Sequence, residues 1–179
     1  SISRIQKVAE IIKKCAKKYK VIVLSSAMSG TTNKLINLSK KISSNFSDHE
    51  YDTLVSAGEQ ISCSLLSGQL IENGIKSRSW MAWQIPIITE GEHKYSRIAN
   101  IKKNQIIKYL REGGVPVIAG FQGINKDLRI TTIGRGGTDA SAIMFANFFK
   151  ASKCVIYTDV EGVYTTDPNK FKSAKKIKK

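Results

Sequence analysis

Apolar and polar positions follow one another along this chain with periods that change from segment to segment, and each change marks an element. Ile5, Val8, Ile12, Cys15 and Tyr19 recur at three- and four-residue spacing, with Arg4, Lys7, Lys13, Lys14, Lys17 and Lys18 mostly opposite, which predicts an amphipathic helix over 2–19. Val21-Ile22-Val23-Leu24 is an unbroken apolar run too short for a helix and reads as a buried parallel strand. A small polar turn, Ser25 to Asn33, leads into a second helix over about 32–42 that buries Leu35, Ile36, Leu38 and Ile42. The helical period returns over 51–73, interrupted by Gly58 and stopped by Gly74. Strands are predicted over 75–80 and 85–89, a loop over 90–95, a helix over 104–112 and a second buried strand over 115–119. Residues 122–129 read as a hairpin connection returning through 129–133, and Cys154–Tyr157 as a third apolar strand. Strand–helix alternation around buried apolar strands predicts an α/β fold in which helices cover a mainly parallel sheet. No repeat or linker divides the chain.

Composition narrows this picture only a little. With 179 residues, 41% hydrophobic and 24% charged, the chain suits one globular domain. No apolar run approaches the roughly 20 residues that span a bilayer, and no signal-peptide pattern opens the sequence. Cys15, Cys63 and Cys154 are odd in number, widely spaced and set among apolar neighbours; they read as reduced core thiols of a cytoplasmic protein, with no metal site assigned. The net charge of +15 raises nucleic-acid binding, but six lysines crowd residues 170–179, the others are scattered, and no aromatic–basic interleaving accompanies them. The chain starts without methionine inside a helical pattern and ends in a lysine cluster, so it is expected to be a piece of a longer protein.

The densest chemistry lies in Ile130 to Ser141, where a β-branched run passes through Gly134, Gly136 and Gly137 into Thr138, Asp139 and an apolar helical pattern. Strand, glycine turn and helix N-terminus together offer free N–H groups and a positive dipole end to an anion. Arg135 adds a planar fork for a carboxylate or phosphate. The run is neither a Walker loop, lacking G-x-x-x-x-G-K, nor a dinucleotide fingerprint, since Asp139 stands where the third glycine belongs. The plainer reading is a turn feeding a helix capped by Thr138 or Asp139.

Three predicted strands end in polar chemistry: Leu24 runs into Ser25-Ser26, Ile133 into Gly134, and Tyr157 into Thr158-Asp159. Ligands of open α/β sheets sit beyond such ends. Backbone donors and hydroxyls at Ser26–Thr32 and Gly136–Thr138 suit phosphate oxygens, and Arg135 suits a substrate carboxylate. From spacing alone Glu59 reads as a solvated helix charge, the alternative being a partner for an ammonium group. Asp139 either orients a lysine or magnesium, or is only a cap. Asp159, Tyr164 and Asp167 either grip a nucleotide or, for Asp167, make a turn. His49 and His93 fall in polar loops and receive no role. A kinase acting on an acid needs no histidine or cysteine base, because a carboxylate with a pKa near about 4 is already ionised at neutral pH. Catalysis then rests on positioning and charge neutralisation.

Five blocks, in order, give the chain its resemblance to aspartate kinase of the amino-acid kinase superfamily: Val23 to Asn33, Ser56-Ala57-Gly58-Glu59-Gln60, Val117 to Gly123, Thr131 to Asp139, and Tyr157-Thr158-Asp159-Val160 with Tyr164 to Pro168. Ser79-Trp80 with Trp83 to Ile87 is similar to the monofunctional bacterial type. The resemblance implies a three-layer αβα sandwich with an open, mainly parallel sheet. It implies ATP- and Mg2+-dependent phosphorylation of the aspartate side chain to 4-phospho-aspartate, the first step toward lysine, threonine, methionine and diaminopimelate, by a protein that is a homo-oligomer at full length. By matching position, Ser26, Thr32, Glu59, Arg135, Gly136, Gly137 and Thr138 contact aspartate or the moving phosphate, with Arg135 and Asp139 in the catalytic set, Asp139 organising a lysine. Thr158, Asp159, Tyr164 and Asp167 lie along the nucleotide.

The chain also departs from the family. The opening Lys-Phe-Gly-Gly-Thr-Ser strand, the end of the kinase domain and the ACT domains have no counterpart in these 179 residues, Asn169 replaces an arginine, and Met81-Ala82 replaces Gln-Gly. Without the lysine strand, the 179 residues alone are expected to transfer phosphate weakly or not at all. Rival readings are a sister kinase acting on glutamate or N-acetylglutamate, a non-catalytic remnant or binding subunit, and a basic nucleic-acid module.

Overall fold

A strand apolar at every position must be covered on both faces, and Val115–Ala119, with five buried residues, organises the fold around that requirement. The computed structural model describes residues 1–134, 137–157, 165, 171 and 173–175. In chain order its elements are α1 (Ile2–Ala16), β1 (Val23–Ser25), α2 (Thr31–Ile42), α3 (Asp48–Glu72), β2 (Ser77–Trp80), β3 (Ile87–Glu90), β4 (Arg97–Ile101), α4 (Asn104–Arg111), β5 (Val115–Ala119), β6 (Gln122–Ile124), β7 (Ile130–Thr132) and α5 (Gly137–Phe148).

Among the described residues the strands form two sheets, one of order β1-β5-β2 and one of order β4-β3-β6-β7. The first is parallel throughout, with Val23 opposite Val117 and Ser79 opposite Val117 on the other side. Val115, Val117 and Ala119 point to one face and pack with Ala9 and Ile12 of α1 and with Cys63, Leu66 and Leu70 of α3. Ile118 points to the other, where Ile106 of α4 and Phe145 of α5 close the second core. This is the expected helix–sheet–helix layering, produced by the two-residue alternation of a strand.

The second sheet is mixed: β3 pairs antiparallel with β4 and parallel with β6, and β6 turns back antiparallel into β7. The strand expected from residue 85 begins at Ile87, and Ile85, although fully buried, lies in the preceding turn. The hairpin at 122–133 is as expected. Gly123 sits where β6 runs alongside β3; a Cβ there would lie 2.2 Å from Thr89 Cγ2 and 2.8 Å from the Ile87 carbonyl oxygen. Gly123→Ala is therefore expected to destabilise the protein by about 1–3 kcal/mol, read as a lower urea midpoint.

Several expectations fail for physical reasons. Cys154–Tyr157 is not a strand: it ladders with no described strand, and Val155, Ile156 and Tyr157 are exposed. An apolar run without an edge to pair with does not become a strand. Of the three thiols only Cys63 is a core residue; Cys15 is half-buried and Cys154 exposed. Tyr19 lies beyond the end of α1, and Leu38 and Ile42 of α2 face outward. Gly58 does not interrupt α3, which runs unbroken for 25 residues.

Candidate functional site

Along α3 the positions facing the sheets are 52, 55, 56, 59, 62, 63, 66, 67 and 70, all buried, as the helical period requires. Five of them, Asp52, Ser56, Glu59, Ser62 and Ser67, are polar, so each needs a partner inside, which for Ser67 is Ser77 of β2 at 3.1 Å. Ser62 Oγ donates to the Ser26 carbonyl at 2.6 Å and shares a hydrogen bond of 3.0 Å with Ser25 Oγ. Glu59 Oε1 accepts the Ala27 N–H at 3.1 Å. Gly58 permits this approach, because a Cβ there would stand 3.0 Å from Ala27 Cβ and 3.4 Å from Thr31 Cγ2. The turn from β1 into α2 is thus seated on α3, with Thr32 in the first turn of α2.

Glu59 is not the solvated charge that spacing alone suggests: the residue is 4% exposed. Its Oε2 has no hydrogen-bond partner among the described residues. Burial pushes its pKa up to about 7, against the opposing pull of the Ala27 N–H. A buried carboxylate with one satisfied and one open oxygen is an acceptor awaiting a donor.

The second half of the site comes from β5 and α5. Gly120 N–H donates to the Ser25 carbonyl at 3.1 Å, joining the ends of β5 and β1. A Cβ on Gly120 would lie 2.5 Å from Thr138 Cγ2, so Thr138 stands directly over this junction. Phe121, at φ 62° in the left-handed region, lays its ring against Gly137 and donates its N–H to Ser141 Oγ at 3.2 Å. Ser141 Oγ in turn donates to the Gly137 carbonyl at 3.0 Å. These bonds fix the N-terminus of α5 on the carboxyl end of β5. Because α5 starts at Gly137, Thr138 and Asp139 occupy its first turn and are not its cap. Their neighbourhood carries the unsatisfied N–H groups and positive dipole end of the helix.

The structure therefore gathers Ser26, Glu59, Gly137 and Thr138 around one sheet end, with Thr32 beside the same turn and Asp139 exposed at its edge. Arg135, Gly136, Thr158, Asp159, Tyr164, Asp167 and Asn169 lie outside the described residues. No three His, Cys, Asp or Glu side chains gather as metal ligands among the described residues, and no helix there is long and apolar enough to cross a membrane.

Sequence reasoning passed over Phe121, Ser62, Gln122, Asp52 and His93. Gln122 is buried, donates through Nε2 to the Ser56 carbonyl at 3.1 Å, and leaves Oε1 without a described partner. Asp52, fully buried, accepts from Thr132 Oγ1 at 2.6 Å through Oδ1, while its Oδ2 accepts the Lys94 N–H at 3.1 Å and lies 2.6 Å from His93 Nδ1. The two histidines are thus not loop bystanders: His49 lies on the first turn of α3 and meets the His93 ring edge-on at 4.2 Å. The signal was present, since Asp52, Ser56 and Glu59 share the helical phase of Val55, Leu66 and Leu70.

A model of the amino acid kinase family matches residues 1–179. Among curated relatives, the aspartokinase of Geobacillus stearothermophilus is 49% identical over 179 residues, covering 99% of this chain and 44% of that protein. The aspartokinase of Rickettsia felis is 48% identical over 182 residues, covering 99% and 45%. The chain thus spans under half the length of these relatives. Among solved structures, an aspartate kinase from Synechocystis superposes with a TM-score of 0.77 at 42% identity, covering 98% of this chain and 29% of that one. Aspartokinase III of E. coli in complex with aspartate and ADP superposes with a TM-score of 0.83 at 25% identity, covering 99% and 50%.

Proposed function

This chain belongs to the amino acid kinase family, and from that premise we propose that the protein phosphorylates the side-chain carboxylate of L-aspartate from ATP. A carboxylate oxygen attacks the γ-phosphorus, the bond to the bridging β–γ oxygen breaks, and ADP leaves with that electron pair, giving 4-phospho-L-aspartate. No proton need move, so the protein's work is placement and neutralisation. The product serves lysine, threonine, methionine and diaminopimelate synthesis, and the enzyme works in the cytoplasm.

The observation that carries this reading is the open Oε2 of buried Glu59 beside the Ser26–Ala27 turn. We assign it to the substrate α-ammonium, whose positive charge restores the ionised carboxylate that burial disfavours. Arg135 takes the α-carboxylate, while Ser26, Thr32, Gly136, Gly137 and Thr138 donate to the acceptor carboxylate and the phosphoryl oxygens. Asp139 orients a lysine, and Thr158, Asp159, Tyr164 and Asp167 follow the nucleotide. Mg2+, when bound, would accompany the nucleotide and offset the negative charge of its phosphates.

A free ammonium also distinguishes aspartate from N-acetylglutamate, and side-chain length distinguishes it from glutamate. The test is hydroxylamine trapping of the acyl phosphate by the full-length protein with ATP and each acid in turn. Trapped product from aspartate, at rates at least about tenfold above the other two, is the expected outcome. Preference for either rival acid would overturn the assignment.

A further inference from the structure

The contacts around Asp52 lie apart from the Glu59 pocket, and no step above uses them. Three groups converge on this buried carboxylate: the Thr132 hydroxyl from the end of β7, the Lys94 N–H and His93 Nδ1. The latter two belong to the segment between β3 and β4, and that segment is what Gly134 rests on. Gly134 N–H donates to the Ser96 carbonyl at 3.2 Å, and Ser96 N–H donates to the Thr132 carbonyl at 3.1 Å. Ser96 Oγ ties back to the Glu92 carbonyl at 2.8 Å. A Cβ on Gly134 would stand 3.3 Å from Tyr95 Cα, so the two backbones are in direct contact.

Other ties join the same regions: Lys94 pairs with Asp48 and lies over the Tyr51 ring, and Arg129 pairs with Glu50. Those ion pairs are solvent-exposed and contribute little. Asp52, wholly buried, is the one whose bonds cannot be exchanged for water. We infer that Asp52 and His93 are positioning residues that hold Gly134, at the end of the strand before the glycine-rich run, in register with Glu59 on the same helix, and so set the affinity for the amino-acid substrate. The inference rests on the aspartate kinase reading for its kinetic consequence, though not for its geometry.

His93 bonds through Nδ1 alone; its Nε2 is buried without a described partner. An asparagine amide can place an N–H where Nδ1 stands, whereas leucine fills the space and donates nothing. In the full-length protein, His93→Leu is expected to raise the aspartate KM about ten- to a hundredfold, leave the ATP KM within about twofold, and speed hydrogen exchange at the Ser96 and Gly134 amides. His93→Asn is expected to restore all three toward wild type. A fall in kcat at unchanged aspartate KM, or an asparagine variant that behaves like leucine, overturns the inference. Should the wild-type protein not phosphorylate aspartate, the kinase reading fails and exchange decides alone: unchanged Ser96 and Gly134 rates in His93→Leu overturn the positioning role. If His93→Leu does not fold, Thr132→Val, which deletes one hydroxyl from the same carboxylate, is read by the same measurements.

Discussion

Replacing Arg135 by alanine in the full-length protein is expected to weaken aspartate binding by about 2–5 kcal/mol, which at the lower bound is roughly a thirtyfold rise in the aspartate KM. The size follows from what is left behind. A substrate carboxylate removed from water and deprived of its guanidinium partner keeps its desolvation cost without the compensating pair of hydrogen bonds. Arg135→Lys should recover only part of the loss, because an ammonium supplies a point charge and not a planar fork. The ATP KM should stay near wild type in both variants. Aspartate saturation curves that coincide for Arg135→Ala and wild type would remove Arg135 from the substrate carboxylate.

The second large effect concerns Glu59, and it has opposite signs for stability and for binding. In the unliganded protein burial raises its pKa from 4.5 to about 7. The folded state therefore holds a proton that the unfolded chain has released anywhere between those values, so the contribution to stability is full below about 4.5 and is lost as pH rises through about 7. The gap amounts to roughly 3 kcal/mol. Glu59→Gln keeps the shape and the acceptor for the Ala27 N–H but never ionises. The variant should flatten this slope and show a higher urea midpoint than wild type at about pH 8, with little difference at about pH 4. Aspartate binding should move the other way: in wild type it strengthens as pH rises through about 7, because the ammonium favours the ionised acid, and in Glu59→Gln that rise disappears. Equilibrium denaturation and aspartate saturation across pH read the two effects separately. A Glu59→Gln enzyme with wild-type aspartate KM at about pH 8 would show that the ammonium sits elsewhere.

Where hydrophobic period and packing agree, the sequence is a good guide. The strands β1 and β5 and the helices α1 to α4 follow from it, because continuous apolar runs and helices with one apolar stripe leave strong patterns. The second sheet was half hidden for identifiable reasons. In β4 only Ile98 and Ile101 are buried apolar residues, three apart, because a register shift between Ile88 and Thr89 of its partner breaks the two-residue alternation. Ile85 and Pro86 look like the start of a strand, yet they anchor a turn whose backbone bonds run from Ile87 N–H to the Ala82 carbonyl and from Lys102 N–H to the Pro86 carbonyl. At the site, the glycine-rich run and the hydroxyls after β1 were visible as chemistry. Glu59 and Asp52 were harder to read, since a charge in a helix is normally solvated. Only their phase with Val55 and Leu66 betrays that the polar and apolar residues share one inward face.

The unbroken course of α3 has a consequence for how this pocket can change. At 1.5 Å per residue the helix is a shaft about 37 Å long, and the acid beneath the β3–β4 segment and the acid facing the β1–α2 turn are mounted on it less than three turns apart. A shaft without a joint turns or slides as one body, so neither carboxylate can be displaced without carrying the other along. The turn after β1 and the segment between β3 and β4 are thereby bolted to a common axle, so a shift of that axle is felt at both.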